Sequence, residues 1–414
     1  MTIKIAMINR DYCAACGSKK VRKILDFGAI PNSNELVSKE NLNRIKRWKI
    51  KFYWCEDCSL FQQLNLVSET TLFKNNYAYQ TSINTPSVEH FRSLAKELKD
   101  NTRTADFAVV IGSNDGTELR LLKEAGFSKV LGIEPAKNMA KIANDSGLNT
   151  INNFFTEELS RSISDNYGKA DFVIANNVFA HIPSPEDMLL GMKNLIKPDG
   201  QIVIEVQWFK DVFQKLAIET LYAEHYYEWT VKAMVALARR CSLKLVKATP
   251  LPNIQGGSIQ FKFKLDGIED SVLQSEEQKV GLYDINKLIK LRSRIEFRKR
   301  KLVELLKRLK KANKKIVIWT VPAKVPTLLN LFKIDSKFID CAYDSTPLKI
   351  NKFIPDANIP IKDEALLNKD MKDRPDYIII GAWNYLDFAK KKLKWFTDEN
   401  GKLINLLTGE LIKD

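Results

Sequence analysis

ADFAVVIGSNDGTELRLLKEAG, from Ala105 to Gly126, decides the fold. Phe107 to Ile111 is an unbroken apolar run, the pattern of a strand buried on both faces. Gly112-Ser113-Asn114-Asp115-Gly116 reads as a turn, and from Thr117 onward Leu119, Leu122 and Ala125 share one helical face. A glycine-bearing turn from strand to helix lets a ligand approach the backbone at the carboxyl edge of a parallel sheet. The pattern is neither G-x-G-x-x-G nor a Gly-Lys-Ser/Thr phosphate loop, so the pyrophosphate of a dinucleotide or nucleoside triphosphate is not favoured.

Reading outward, KVLGIEP is a second strand that ends at Glu134, where a carboxylate can accept both hydroxyls of a ribose. TINNFFT follows, with Asn152, Asn153 and Phe154 placed to flank an adenine. ADFVIANNVFAHIP is a fourth strand and a polar loop holding Asn176, Asn177 and His181, and PDGQIVIEVQW is a fifth strand. In this order, the glycine turn, ribose acid, adenine flank and post-strand loop resemble the class I S-adenosylmethionine-dependent methyltransferases. That resemblance implies S-adenosylmethionine as cofactor, held by Gly112, Ser113, Asn114, Asp115, Gly116, Glu134, Asn153, Phe154, Asn176 and Asn177.

Upstream lie two C-x2-C knuckles, Cys13/Cys16 and Cys55/Cys58. Each turns two sulfurs onto one point, and four thiolates make a closed tetrahedral site, so a structural Zn2+ is expected. The other two cysteines, Cys241 and Cys341, sit in apolar contexts and read as buried small residues.

The formal charge of +15 admits a polyanionic or phosphorylated partner. Much of it lies between Lys287 and Lys315, where Leu288, Leu291, Ile295, Leu302, Leu305, Leu306 and Leu309 recur at helical spacing. One long amphipathic helix with a solvated basic face is expected there, joining two domains. No apolar run approaches the roughly 18 residues of a membrane span. The N-terminal stretch has no apolar signal core, so a cytoplasmic protein is expected. After the basic helix, KKIVIWT, KFIDCAYD, DYIIIGAW and KLINLLTG alternate with helical patterns as in a second parallel sheet.

The chain has three histidines, and His225 lies in ETLYAEHYYEWT, Glu219 to Thr230. Taken alone, Tyr222-Ala223-Glu224-His225 reads as a polar helix edge. Adjacent helical side chains point about 100° apart, so direct Glu224–His225 pairing is not assured. His90, near a helix start in PSVEHFRSL, reads as structural.

Taken together, the four cysteines, YAYQTS (Tyr77–Ser82), IGSNDG, GIEP, ANNVFAHIP, the Glu-His motif, GGSIQFKFK, AKVPTLLN, YDSTPLKINKFIPDANIPI and GAWNY resemble the sugar C-methyltransferase family over nearly the full length. The resemblance implies an α/β protein with an N-terminal four-cysteine zinc module, a central class I methyltransferase Rossmann-like domain and a C-terminal Rossmann-like domain. The boundaries expected are 1–70, 71–265, a connecting basic helix 266–313, and 314–414. It implies C-methylation of a nucleotide-linked 4-keto-deoxysugar at C3 through base-catalysed enolate formation. His225 or Tyr222 takes the proton, with Glu224, His181 and Tyr77 or Tyr79 nearby. An imidazole suits the task because its ordinary pKa of about 6.5 lies near working pH. Lys324, Tyr343, Lys349 and Lys352 are candidates for a diphosphate. The sequence departs from the family at Pro322 and Pro326, where relatives carry a glycine-rich turn, at Ala223, and at Gln260. The alternatives are O- or N-methylation of a nucleotide sugar or glycan precursor and, less favoured, a nucleic-acid methyltransferase. The partner expected is a small nucleotide sugar, with neither membrane nor nucleic acid.

Overall fold

The computed structural model describes residues 7–72, 77, 79–102, 104–368 and 374–412. They divide into two compact units. The first comprises Met1–Arg22, Tyr53–Lys210 and Tyr226–Tyr283; the second comprises Lys23–Phe52, Asp211–His225 and Asp284–Asp414. This division cuts across the sequence boundaries. The stretch between the two cysteine pairs and the segment carrying Tyr222, Glu224 and His225 both go with the C-terminal part.

The first unit holds a seven-stranded sheet: β1 (Phe107–Ile111), β2 (Lys129–Ile133), β3 (Thr150–Ile151), β4 (Ala170–Asn176), β5 (Ile196–Gln207), β6 (Lys244–Leu251) and β7 (Ser258–Lys264). The spatial order is β6-β7-β5-β4-β1-β2-β3. β1 to β5 run parallel and β7 runs antiparallel to both its neighbours. Every residue of β1 is buried, which its apolar run requires of a central parallel strand. Sheet order reverses between β1 and β4, so a crevice opens at their carboxyl ends. Helix α1 (Thr85–Asn101) starts at Asn84, whose side chain accepts from the Ser87 N–H, and buries Phe91, Leu94, Ala95 and Leu98. Helix α2 (Thr117–Glu124) leaves the glycine turn directly. Two glycines are obligatory in that turn. Gly112 and Gly116 have φ of +70° and +82°, and an added Cβ would lie 2.3 Å from Val178 and 2.6 Å from Leu148.

The second unit holds another seven-stranded sheet: β8 (Ile316–Trp319), β9 (Cys341–Asp344), β10 (Phe353–Ile354), β11 (Ile359–Asp363), β12 (Tyr377–Ile380), β13 (Lys402–Asn405) and β14 (Glu410–Leu411). Its order is β10-β11-β9-β8-β12-β13-β14, with β8, β9, β11, β12 and β13 parallel. The reversal point here lies between β8 and β12. Cys341 is buried in this unit and Cys241 in the first, as their apolar contexts predict. No helix among the described residues is long and apolar enough to cross a membrane.

The basic helix differs from expectation in two ways. It is two helices, Ile285–Ile289 and α3 (Leu291–Lys311). The first is capped by Asp284, which accepts from the Asn286 N–H, and ends at Lys290. α3 stops four residues before Lys315 because Asn313 turns left-handed, at φ 53°. There the Asn313 and Lys314 N–H groups close back onto the Lys310 and Leu309 carbonyls, a Schellman ending. Nor is the basic character confined to solvent. Arg298 is 6% exposed, and its guanidinium donates to the Leu216 and Leu406 carbonyls and, at 3.2 Å, to the fully buried Glu219. A second helix, α4 (Lys324–Phe332), packs on the turn at Ile218–Thr220. Removing one partner of a buried pair strands the other charge, so Arg298→Met is expected to cost about 3–5 kcal/mol. It should lower the urea midpoint of the second unit, and the double variant Arg298→Met/Glu219→Gln should recover part of the loss.

Candidate functional site

The four cysteines converge within the first unit. Their sulfurs all lie within 4.8 Å of one another, with Cys13–Cys58 at 3.4 Å and Cys16–Cys55 at 3.5 Å. A tetrahedral zinc with Zn–S bonds of about 2.3 Å sets its sulfurs about 3.8 Å apart, so the donor set fits. Both knuckles close the same way. The Gly17 and Ser59 N–H groups bond the Cys13 and Cys55 carbonyls at 2.9 Å, and both residues are left-handed, at φ 76° and 67°. Hydrogen bonding from Cys13 holds the Cys16 and Cys55 thiols down, to about 4 and about 2, while contacts with the other cysteines push Cys13 and Cys58 up. The cluster thus carries the negative charge a divalent cation would neutralise. Four sulfurs leave no open position, so the zinc is structural. The module is tied to the rest of its unit by Arg10, which donates to the Tyr227 hydroxyl and the Pro183 carbonyl, and by Arg240, which donates to the Ala15 carbonyl.

The glycine turn forms the floor of the β1/β4 crevice. Glu134, buried just past β2, accepts from the Asn114 N–H at 2.9 Å and the Ala136 N–H at 2.7 Å. Burial raises its pKa, against the pull of those two amides. Each carboxylate oxygen keeps a lone pair beyond these bonds, as a ribose diol requires. Asn152 donates to the Glu134 and Pro135 carbonyls, and Asn153 accepts from the Phe154 N–H, shaping the loop after β3. Asn177 is left-handed and donates its N–H to the Glu205 carbonyl. Ser113 Oγ and Asn176 Oδ1 are buried and meet no partner among the described residues. A glycine-lined turn, an acid after β2 and two unpartnered polar atoms fit the adenosine and amino-acid parts of S-adenosylmethionine.

Asn114 and Asp115 have a further task that the sequence did not disclose. Asn114 Oδ1 accepts from the Thr81 N–H at 2.9 Å and its Nδ2 donates to the Tyr79 carbonyl; Asp115 Oδ2 accepts from the Ser82 N–H at 3.0 Å. Asn138 exchanges two hydrogen bonds with the Tyr77 backbone. The tyrosine segment is therefore strapped to the turn, with Tyr77 half-buried and Tyr79 exposed. His181 lies in a turn whose N–H reaches the Val178 carbonyl, and the neighbouring Ala180 carbonyl takes the Tyr226 N–H.

In the second unit, Tyr222-Ala223-Glu224-His225 is a turn, not the helix edge expected: it follows the short helix Ile218–Thr220, and the His225 N–H closes onto the Tyr222 carbonyl. The turn folds the two side chains together, with Tyr222 Oη 3.0 Å from His225 Nε2 and ring centroids 4.3 Å apart. Burial, and then the Lys324 ammonium, push His225 down to about 3 against the Thr220 carbonyl, so the ring is neutral. Glu224 is held from outside this turn. Both its oxygens accept from Asn34 Nδ2, at 2.8 and 2.7 Å, and burial lifts it to about 7 against the Asn34 and Asn32 amides. Asn32 and Asn34 were not singled out from sequence. Ser33, between them, meets Thr327 of α4 at 2.6 Å. Of the diphosphate candidates, Lys349 is engaged by Asp344 and the Val321 carbonyl, Tyr343 is buried, Lys352 is half-buried, and Lys324 lies 4.9 Å from the Trp383 ring.

Three family models match the chain in order: "Putative zinc binding domain" over residues 13–73, "Methyltransferase domain" over 86–248 and "C-methyltransferase C-terminal domain" over 253–407. The C-methyltransferase NovU of Streptomyces niveus is 26% identical over 404 residues, covering 95% of this chain and 94% of that protein. Among solved structures, the plantazolicin methyltransferase BpumL in complex with SAH aligns with TM-score 0.36 and 13% identity, over 45% of this chain and 87% of its own. Magnesium protoporphyrin IX methyltransferase from Synechocystis PCC 6803, with bound SAM, aligns with TM-score 0.33 and 13% identity, over 44% and 80%.

Two outcomes are expected. Cys55→Ser, or chelation, should release zinc and lower the thermal midpoint, read by metal analysis beside calorimetry. Asn34→Ala removes donors that favour the Glu224 carboxylate, so the Glu224 pKa should rise above about 7, read by carboxyl-carbon NMR.

Proposed function

We propose that this chain, an S-adenosylmethionine-dependent C-methyltransferase that matches the sugar C-methyltransferase family through all three of its parts, methylates C3 of a nucleotide-linked 4-keto-deoxysugar. The observation that carries the reading is the Tyr222–His225 pair, next in sequence to a carboxylate held by the Asn34 amide. Carbon becomes a nucleophile next to a ketone only when its proton is removed and the enolate oxygen is stabilised. His225 is neutral and in contact with a phenol, so a proton taken from C3 can be received on His225 Nε2 or passed through Tyr222 Oη. Tyr222 supplies a hydrogen-bond donor for the C4 oxygen, and Glu224 accepts from a sugar hydroxyl. An imidazole held at about 3 is a weak base, and one cause of the depression is the Lys324 charge. A diphosphate on Lys324 would remove that smaller part of the depression and leave the larger part, which comes from burial.

The donor is held by the turn Gly112–Gly116, with Glu134 at the ribose, Asn153 and Phe154 beside the adenine, and Asn176 and Asn177 on the far side of β1. When bound it supplies an electrophilic methyl group, so these residues need only align it with the carbanion.

Labelled donor, incubated with a panel of nucleotide-linked 4-keto sugars, should yield a carbon-methylated product. Methyl found on oxygen or nitrogen, or on RNA and no sugar, removes the reading. His225→Asn should abolish exchange of the C3 proton into deuterated water while leaving donor binding intact.

A further inference from the structure

We propose that the outer face of α3 is a docking surface for an anionic phospholipid bilayer, with Phe297 as its apolar anchor.

The helix divides into two sides of different character. α3 carries ten lysines and arginines and two glutamates in its 21 residues. Its inner row, Leu291, Ile295, Arg298, Leu302 and Leu306, is buried. On the opposite side Phe297, Arg300, Glu304, Arg308 and Lys311 recur at steps of three and four and form one stripe. All five are exposed, as is Lys307 beside them. Acids of neighbouring segments reach only the flanks, where Glu410 takes Lys301 and Asp340 takes Lys310. Arg294 is turned inward, donating to the Gln214 carbonyl. Arg300, Lys307, Arg308 and Lys311 bond no acid among the described residues. Upstream, the short helix Ile285–Ile289 adds an exposed Lys287 and is followed by an exposed Lys290.

Charge alone would fit plain solvation, but the stripe is not purely charged. Phe297 is 63% exposed, and Ile289 at the end of the short helix is 51% exposed. An anionic bilayer accepts both features. Lysines and arginines meet lipid phosphates, and an apolar ring settles at the headgroup level. A helix with about four to eight such cations has the number that anionic lipid recognition uses. Shape argues against nucleic acid. A single strand is held in a basic groove by several stacking rings, whereas this face is a convex ridge and α3 has one aromatic residue. A planar membrane meets such a ridge along its length, about 30 Å for a helix of this size. The contact is peripheral and asks for no spanning helix.

Cosedimentation of the full chain with vesicles tests the surface. Vesicles of equal parts phosphatidylcholine and phosphatidylglycerol should bind it, and phosphatidylcholine alone should not. Binding should fall as salt rises, because exposed charges are screened. Each cation near an anionic surface is worth about fivefold in partitioning, so Arg300→Gln/Arg308→Gln should lower binding roughly thirtyfold and Arg300→Glu/Arg308→Glu further. Phe297→Ser should lower it by a smaller factor and leave the salt dependence unchanged. Lys96→Glu/Lys123→Glu changes the net charge as much as the glutamate pair does, on exposed lysines of the first unit, and should bind as the unaltered chain does. Absence of binding to the anionic vesicles, equal binding to both kinds, or equal losses from the lysine and arginine pairs overturns the proposal. So does a loss of RNA homopolymer binding, in place of vesicle binding, in the arginine variants.

Discussion

In both α/β units a carboxylate at the end of the second strand ties down the loop that leaves the first. Glu134 takes the Asn114 N–H at 2.9 Å and Asp344 takes the Val321 N–H at 2.7 Å. The bond fixes the mouth of each crevice, and what lies beside it decides what the crevice can receive. Among the described residues no cation bonds Glu134, and burial raises its pKa. Asp344 is also buried, but the Lys349 ammonium at 3.1 Å overcomes that and holds it below the usual range. The same scaffold thus holds a carboxylate bonded by amides in one unit and one closed by a lysine in the other.

The Tyr222–His225 turn follows a related logic. Tyr222, Glu224 and His225 lie within four residues, but burial lifts Glu224 against the Asn34 and Asn32 amides and lowers His225 with the help of Lys324, so distant segments set both groups. The turn itself is braced from below by Arg298 on Glu219 and by α4. The state of these groups is a property of three chain segments meeting, not of a four-residue motif.

This explains what the sequence could and could not disclose. β1, the turn and α2 were legible because periodicity and glycine placement act over a few residues. The cysteine knuckles were legible because metal chemistry dictates their spacing. Arg298 was hidden, since a charged residue among charged neighbours gives no sign of a buried partner 79 residues away. The Glu-His segment looked helical because local pattern cannot register a fold set by Asn34, 190 residues distant. Asn114 and Asp115 were legible as turn residues, but their grip on Thr81 and Ser82 depends on where the segment before α1 returns. No glycine or charge pattern marked that return.

The passage of Lys23–Phe52 into the second unit bears on how the chain is made. This segment is synthesised well before its partners, 294 residues before in the case of Ser33 and Thr327, with Phe353 for Val37 and Asp356 for Arg47 later still. Until they emerge, its two ends are gathered by the cysteine knuckles on either side. The zinc cluster thus shortens a loop that must wait for most of the protein to be synthesised, and the cost of that wait grows only slowly with its length.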